Sequence, residues 1–300
     1  MSAVLVKVLD QPARVTPFGA RFWDAATRRF IGDRLHVRAF PRSDTRARAT
    51  EGFVSPGGVF LLAGLAGLRD LENGRGDDAY WAGVGQPVSP PRPPFRVEMD
   101  DPAGRFLPYW FNADLPKRGL YSSPPGLATS PPTSPPGAGV DCLPLFSAPT
   151  RPVPAALAML RAQLRIKVAG TDKDKAAAWA LVHACWKGER VCTGLSDREG
   201  RVALVFAYPE PRPKHLHRSS PPQSFSEKTW MIALEARYTP RAGDDPVPEM
   251  ESLEKILAQE ARPLLKAVSP AVVLPEQTLQ LGSELVVHSD GSSYLFVQTT

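Results

Sequence analysis

Val191-Cys-Thr-Gly-Leu-Ser-Asp-Arg-Glu-Gly-Arg-Val-Ala-Leu-Val-Phe206 decides the reading of this chain. β-forming residues stand on both sides of Ser196 to Gly200, which gives a strand, a tight turn and a second strand. The serine can bond the backbone two residues on, and the glycine fits a turn position that side chains resist. Upstream, Ala178-Trp-Ala-Leu-Val-His-Ala-Cys-Trp186 is another apolar strand. Before it, Leu160, Ala162, Leu164, Ile166 and Val168 alternate with Arg161, Arg165 and Lys167. Period-two alternation of that kind gives a strand with one buried and one wet face.

The same signals extend to both ends of the chain. Thr229 to Tyr238 reads as a strand, and Leu285–His288 and Tyr294–Val297 flank Ser289-Asp-Gly-Ser-Ser293 as a hairpin. In the first half, Val4–Leu9, Leu35–Phe40, Phe95–Met99 and Phe106–Leu115 have strand patterns. Pro56, Gly57 and Gly58 place a turn inside Phe53–Leu62. Pro108 argues that Phe106–Leu115 is an edge strand or carries a bulge. One helix is expected, where Met250, Leu253, Ile256, Leu257 and Leu264 recur at helical intervals. Glu251 and Lys255 would pair along it, and Pro263 would end it.

Composition supports the pattern. Thirty-three prolines and 23 glycines in 300 residues exclude a helical bundle, a coiled coil or a solenoid, while 43% hydrophobic residues suffice for a core. Ten prolines fall between Tyr121 and Pro154, among Ser, Gly, Thr and Ala, a composition that builds a semi-rigid spacer. The expected fold is mainly β: two Ig- or transthyretin-like β-sandwich domains, 1–120 and 157–300, joined by a Pro-rich linker, 121–156, with one short helix in the C-terminal half. Pro209 to Gln223 is expected to be a long loop.

Thirty-six Lys and Arg against 31 Asp and Glu leave +5, too weak a field to imply a nucleic-acid partner. Arg42, Arg46 and Arg48 read as a solvated loop. Cys142, Cys185 and Cys192 form neither a disulfide framework nor a zinc motif, which fits a reducing cytoplasm. The start, Met1 to Asp10, is short and broken by Lys7, and no run of about 18 apolar residues occurs, so neither a signal peptide nor membrane insertion is expected.

The chemistry-bearing residues give no catalytic pattern. His36, His183 and His288 sit inside strands. His215 and His217 could aim two imidazoles one way, but Lys214 and Arg218 would repel a cation, so no metal is expected. No nucleophile elbow, P-loop or dinucleotide fingerprint is present, so no cofactor is expected either. Gly74-Arg-Gly76-Asp77 reads as a turn. Cys185 and Cys192 could be redox partners, though Cys185 beside Trp186 reads better as a packed hydrophobe. The aromatic sets Phe18, Phe22, Trp23 and Tyr109, Trp110, Phe111 hold more ring surface than one strand face can bury. Trp110, Tyr109, Trp23 and Trp81 are therefore the candidate partner-contact residues.

Ser55-Pro-Gly-Gly58-Val-Phe-Leu-Leu echoes Ser196 to Val205: a hydroxyl residue, a short turn, a glycine and an apolar strand. Thr193 to Pro211, preceded by Ala178 to Trp186, resembles the carboxypeptidase regulatory-like, or transthyretin-like, β-sandwich. The likeness covers about 50 residues well and implies a module without a catalytic centre. The layout of two such halves, with Asp101–Pro108 and Pro144–Pro154 between them, resembles uncharacterised components of bacterial phage-tail-like contractile injection systems. That resemblance implies a structural subunit at a baseplate or cap, assembled in the cytoplasm with other protein subunits. The alternative is a carbohydrate- or cell-surface-binding sandwich with Trp81, Trp110 or Tyr80 as stacking platforms.

Overall fold

The computed structural model describes residues 16–42, 48–72, 93–117, 119–121, 141–167, 174–209, 228–241 and 245–299. The expected strand Val4–Leu9, residues 122–140 of the Pro-rich stretch and 210–223 of the expected loop lie outside the described residues. The chain is mainly β, as alternation and composition require, with two short helices among the described residues. Its buried side chains form two cores.

The core of the second half is built around the strand Leu157–Lys167. Its inward residues Ala158, Leu160, Ala162 and Leu164 are buried in the alternation the sequence shows. Arg201–Ala207 pairs with it antiparallel, and Glu284–Val287 and Leu295–Val297 pair with it parallel. A second sheet supplies the facing layer: Leu181–Trp186 lies between Glu189–Leu195 and Thr229–Arg237, contributing Val182, Ala184, Cys192 and Ile232. Each fully buried leucine, isoleucine or valine contributes about 1.5–3 kcal/mol.

Two expected hairpins take other forms. Glu189–Leu195 pairs with Leu181–Trp186, whereas Arg201–Ala207 pairs with Leu157–Lys167, so the Ser196–Gly200 turn carries the chain from one sheet to the other. Ser289–Ser293 is likewise not a hairpin turn. Val287 stands opposite Ala162 and Leu295 opposite Leu164, both in parallel register, so the chain leaves the edge of one strand, loops out and rejoins it. Ser289 closes the loop's base: its N–H donates to Tyr294 O at 2.8 Å and its hydroxyl to Leu265 O at 2.5 Å.

The core of the first half rests on a five-stranded sheet, in the order Glu251–Ser252, Tyr109–Asp114, Pro94–Asp100, His36–Pro41, Thr50–Glu51. Val37, Ala39, Phe95, Val97, Met99, Tyr109, Phe111 and Ala113 all face the core. Pro108 precedes its strand instead of interrupting it, and Tyr109 and Trp110 have strands on both sides. The helix in the C-terminal half is shorter than its periodicity implies, running only Leu253–Leu257. Leu264 belongs to a strand, and Glu251 pairs with Arg241 instead of Lys255. Leu253, Ile256 and Leu257 pack into the first core, and Glu254 accepts the N–H of Asn112 at 2.7 Å.

The first core therefore draws on residues far along the chain. Ala178, Trp179, Leu181 and Leu195 join it, as do Leu143, Leu145, Phe146 and Ala148 from the end of the Pro-rich stretch. Leu143–Leu145 is a strand running parallel to Phe22–Asp24. Just beyond it, the Arg151 guanidinium donates to Asp24 at 3.0 and 2.6 Å and to Ser147 at 2.9 Å. Both side chains of the ion pair are buried, so removing either would leave an uncompensated charge, a loss of about 3–5 kcal/mol.

Candidate functional site

The reverse face of the five-stranded sheet is the candidate site. Alternation that sends Val97 and Met99 inward sends Arg96 and Glu98 outward; the same rule places Arg38 and Phe40 on one neighbouring strand and Trp110 and Asn112 on the other. Register brings them together, with Glu98 opposite both Arg38 and Trp110, and Arg96 opposite Phe40 and Asn112.

Trp110 is partly exposed on the strand beside the central one, and the Arg96 guanidinium lies 4.5 Å from its ring centroid. Glu98 pairs with Arg96 at 2.9 Å and with Arg38 at 3.4 Å, fixing the guanidinium over the indole. Each such surface pair contributes at most about 1 kcal/mol, so their effect is to hold geometry more than to stabilise the fold. Arg96 Nε and Asn112 Oδ1 have no hydrogen-bond partner among the described residues. The face can supply a stacked aromatic-guanidinium centre and charges of both signs to a flat partner.

Of the four sequence candidates, Trp110 alone is placed on this face. Tyr109 is fully buried, because neighbouring strand residues point to opposite faces; its hydroxyl donates to Pro144 O at 2.8 Å and its ring meets Phe146. Trp23 is buried edge-on against Phe30. The ring surface that seemed to need a partner is met internally, by the end of the Pro-rich stretch and by Tyr121 against Phe18 and Phe111. Trp81 and Tyr80 lie outside the described residues, as do His215, His217 and Gly74–Asp77. Arg96, Arg38, Glu98 and Phe40 were not singled out from the sequence. Their outward phase is visible in the alternation, but the register that gathers them around Trp110 is not.

Several buried polar groups elsewhere have structural partners. Ser196 accepts the Ala180 N–H at 2.8 Å and donates to Ala177 O at 2.7 Å. Asp197 accepts the N–H groups of Glu199 and Arg201 and the Arg201 Nε. His183 lies 2.9 Å from the Thr193 hydroxyl, and burial, helped by Arg190 and Arg237, pushes its pKa down to about 3. It is therefore neutral at physiological pH. Cys192 donates to Val205 O and burial raises its thiol to about 12; burial raises Cys185 as well. Cys185 and Cys192 do not face one another: Cys192 is opposite Ala184 and Cys185 opposite Arg190, across a register shift. Burial also raises the Tyr109 and Tyr121 hydroxyls, the latter to about 12. Among the described residues, no group of three His, Cys, Asp or Glu side chains could hold a metal ion, and no helix is long and apolar enough to cross a membrane.

Compared with protein-family models, curated proteins and solved structures, the chain matches none.

Proposed function

We propose that this chain is a non-enzymatic assembly subunit that binds another protein through the sheet face centred on Trp110. The observation that carries the reading is the Trp110–Arg96 stack, held by Glu98 in the middle of a sheet whose other face is filled by the first core. Tryptophan and arginine dominate the energetic centres of protein interfaces, and pre-set side chains lose little entropy on binding. The resemblance to components of phage-tail-like contractile injection systems supports such a particle as the assembly, with this chain at its baseplate or cap and put together in the cytoplasm.

A carbohydrate platform is the weaker reading, because the guanidinium already lies over the indole ring that a sugar would stack on.

The test is co-sedimentation of the tagged chain with assembled particles from its native host, comparing wild type with Trp110→Ala and Arg96→Glu. Both variants should melt within a few degrees of wild type, yet lose at least tenfold in particle-bound fraction. A wild-type chain that stays a free monomer, or variants that co-sediment fully, would overturn the proposal.

A further inference from the structure

A second surface is independent of the Trp110 face. A groove of about 560 Å³ runs between the turn after Phe22–Asp24 and the start of Leu157–Lys167. Its floor is apolar, formed by Phe106, Leu157, Pro154 and Ala207, and four arginines border it: Arg28, Arg29, Arg105 and Arg151.

These arginines divide into two kinds. Arg151 is neutralised by Asp24, and Arg105 by Asp101 and Asp33; their guanidiniums lie 4.8 and 5.4 Å from the Phe106 ring centroid, which completes a rigid wall. Arg28 and Arg29 are exposed, and no carboxylate among the described residues pairs with either. Arg28 also takes a positive φ of 54°, a conformation that non-glycine residues adopt at a cost of about 1–2 kcal/mol. The groove thus offers an apolar floor, a fixed wall and two uncommitted guanidiniums on one rim.

We infer that this groove docks an extended acidic segment of a partner protein, with carboxylates meeting Arg28 and Arg29 and apolar side chains lying against Phe106 and Leu157. Charge complementarity selects an acidic occupant, because guanidiniums pair with carboxylates in two-pronged geometry. The apolar floor selects a protein segment over a polyanion, since a nucleic-acid backbone would leave that floor unused. The open shape suits an extended chain whose alternate side chains point to opposite sides.

The test is fluorescence anisotropy with the full chain and a labelled peptide of alternating Glu and Leu. A Lys-Leu peptide, a Glu-Ser peptide and oligothymidine serve as comparators. The Glu-Leu peptide should bind at least tenfold more tightly than any comparator. Arg28→Glu with Arg29→Glu should weaken it at least tenfold, Arg28→Gln with Arg29→Gln should weaken it to a smaller extent, and exposed Arg198→Glu should leave it unchanged. All variants should keep the wild-type melting temperature within a few degrees. Equal binding by the Arg28/Arg29 variants, or a comparator that binds as tightly as the Glu-Leu peptide, would overturn the inference. Trp110→Ala should leave this binding unchanged, so failure here and failure of the particle assay are distinguishable.

Discussion

Two turns of the molecule have the same sequence skeleton, Asp101-Pro-Ala-Gly104-Arg105 and Asp197-Arg-Glu-Gly200-Arg201, and the same bonding of the aspartate side chain. In each, a buried aspartate accepts the backbone N–H groups two and four residues on and the Nε of the arginine four residues on. In each, the glycine has a positive φ, 65° in the first and 80° in the second. Their settings differ. The Asp101 turn joins two strands of one sheet, and a Cβ at Gly104 would meet nothing within 4 Å. The Asp197 turn crosses between sheets, and a Cβ at Gly200 would lie 2.3 Å from Leu164 O. The same local chemistry is therefore a simple turn in one place and a tightly packed crossing in the other.

Separating the two cores gives the largest expected effect. A fragment of residues 1–156 lacks Ala178, Trp179, Leu181, Leu195, Leu253, Ile256 and Leu257, all of which fill the first core. Such a fragment should show no cooperative thermal transition; a sharp melt with native near-ultraviolet dichroism would mean that the first core closes without those residues. Next comes Gly200→Ala, which combines left-handed strain with a backbone overlap and should cost about 3 kcal/mol or more in denaturant unfolding.

His183 gives the second sheet a pH response. Its folded pKa near 3 is below the ordinary value of 6.5, so between those values the unfolded chain binds a proton that the folded one does not. The contribution is complete above about pH 6.5 and is lost as pH falls toward 3, at up to about 1.4 kcal/mol per pH unit. Unfolding free energies measured between pH 6.5 and 5 should fall by about 1.6 kcal/mol in wild type and stay nearly flat in His183→Gln. Equal slopes would mean that His183 does not set this response. Gly104→Ala should have the smallest effect, about 1–2 kcal/mol, since only the left-handed conformation opposes it. If it costs as much as Gly200→Ala, the contrast between the two turns is wrong.

These turns also mark how far the sequence could be read. Alternation gave the strands and their buried faces at Leu157–Lys167 and His36–Pro41, because side-chain direction is a local property of an extended chain. The turn residues showed where strands end but not where the next one pairs, because Asp197 and Gly200 make the same bonds whether the chain folds back or crosses over. The Ser55 turn repeats the backbone bonds of the Asp197 turn, with Ser55 N–H donating to Val59 O and Gly58 N–H to Ser55 O as Asp197 N–H does to Arg201 O and Gly200 N–H to Asp197 O, yet it closes a hairpin where the Asp197 turn crosses over. Arg151 meets Asp24 across 127 positions, and nothing local to either residue signals the pairing. Tyr109 and Trp110 were equal candidates in sequence; strand phase then put one ring inside and left the other on the face.

Binding through the sheet face requires that Trp110 become covered when the chain meets its partner. Hydroxyl-radical footprinting of the indole, read by mass spectrometry in the free chain and in particles from the native host, tests it directly. Trp110 should be oxidised readily in the free chain and at least fivefold less in the particle, with exposed Met231 unchanged as a reference. Equal oxidation of Trp110 in both states would contradict it.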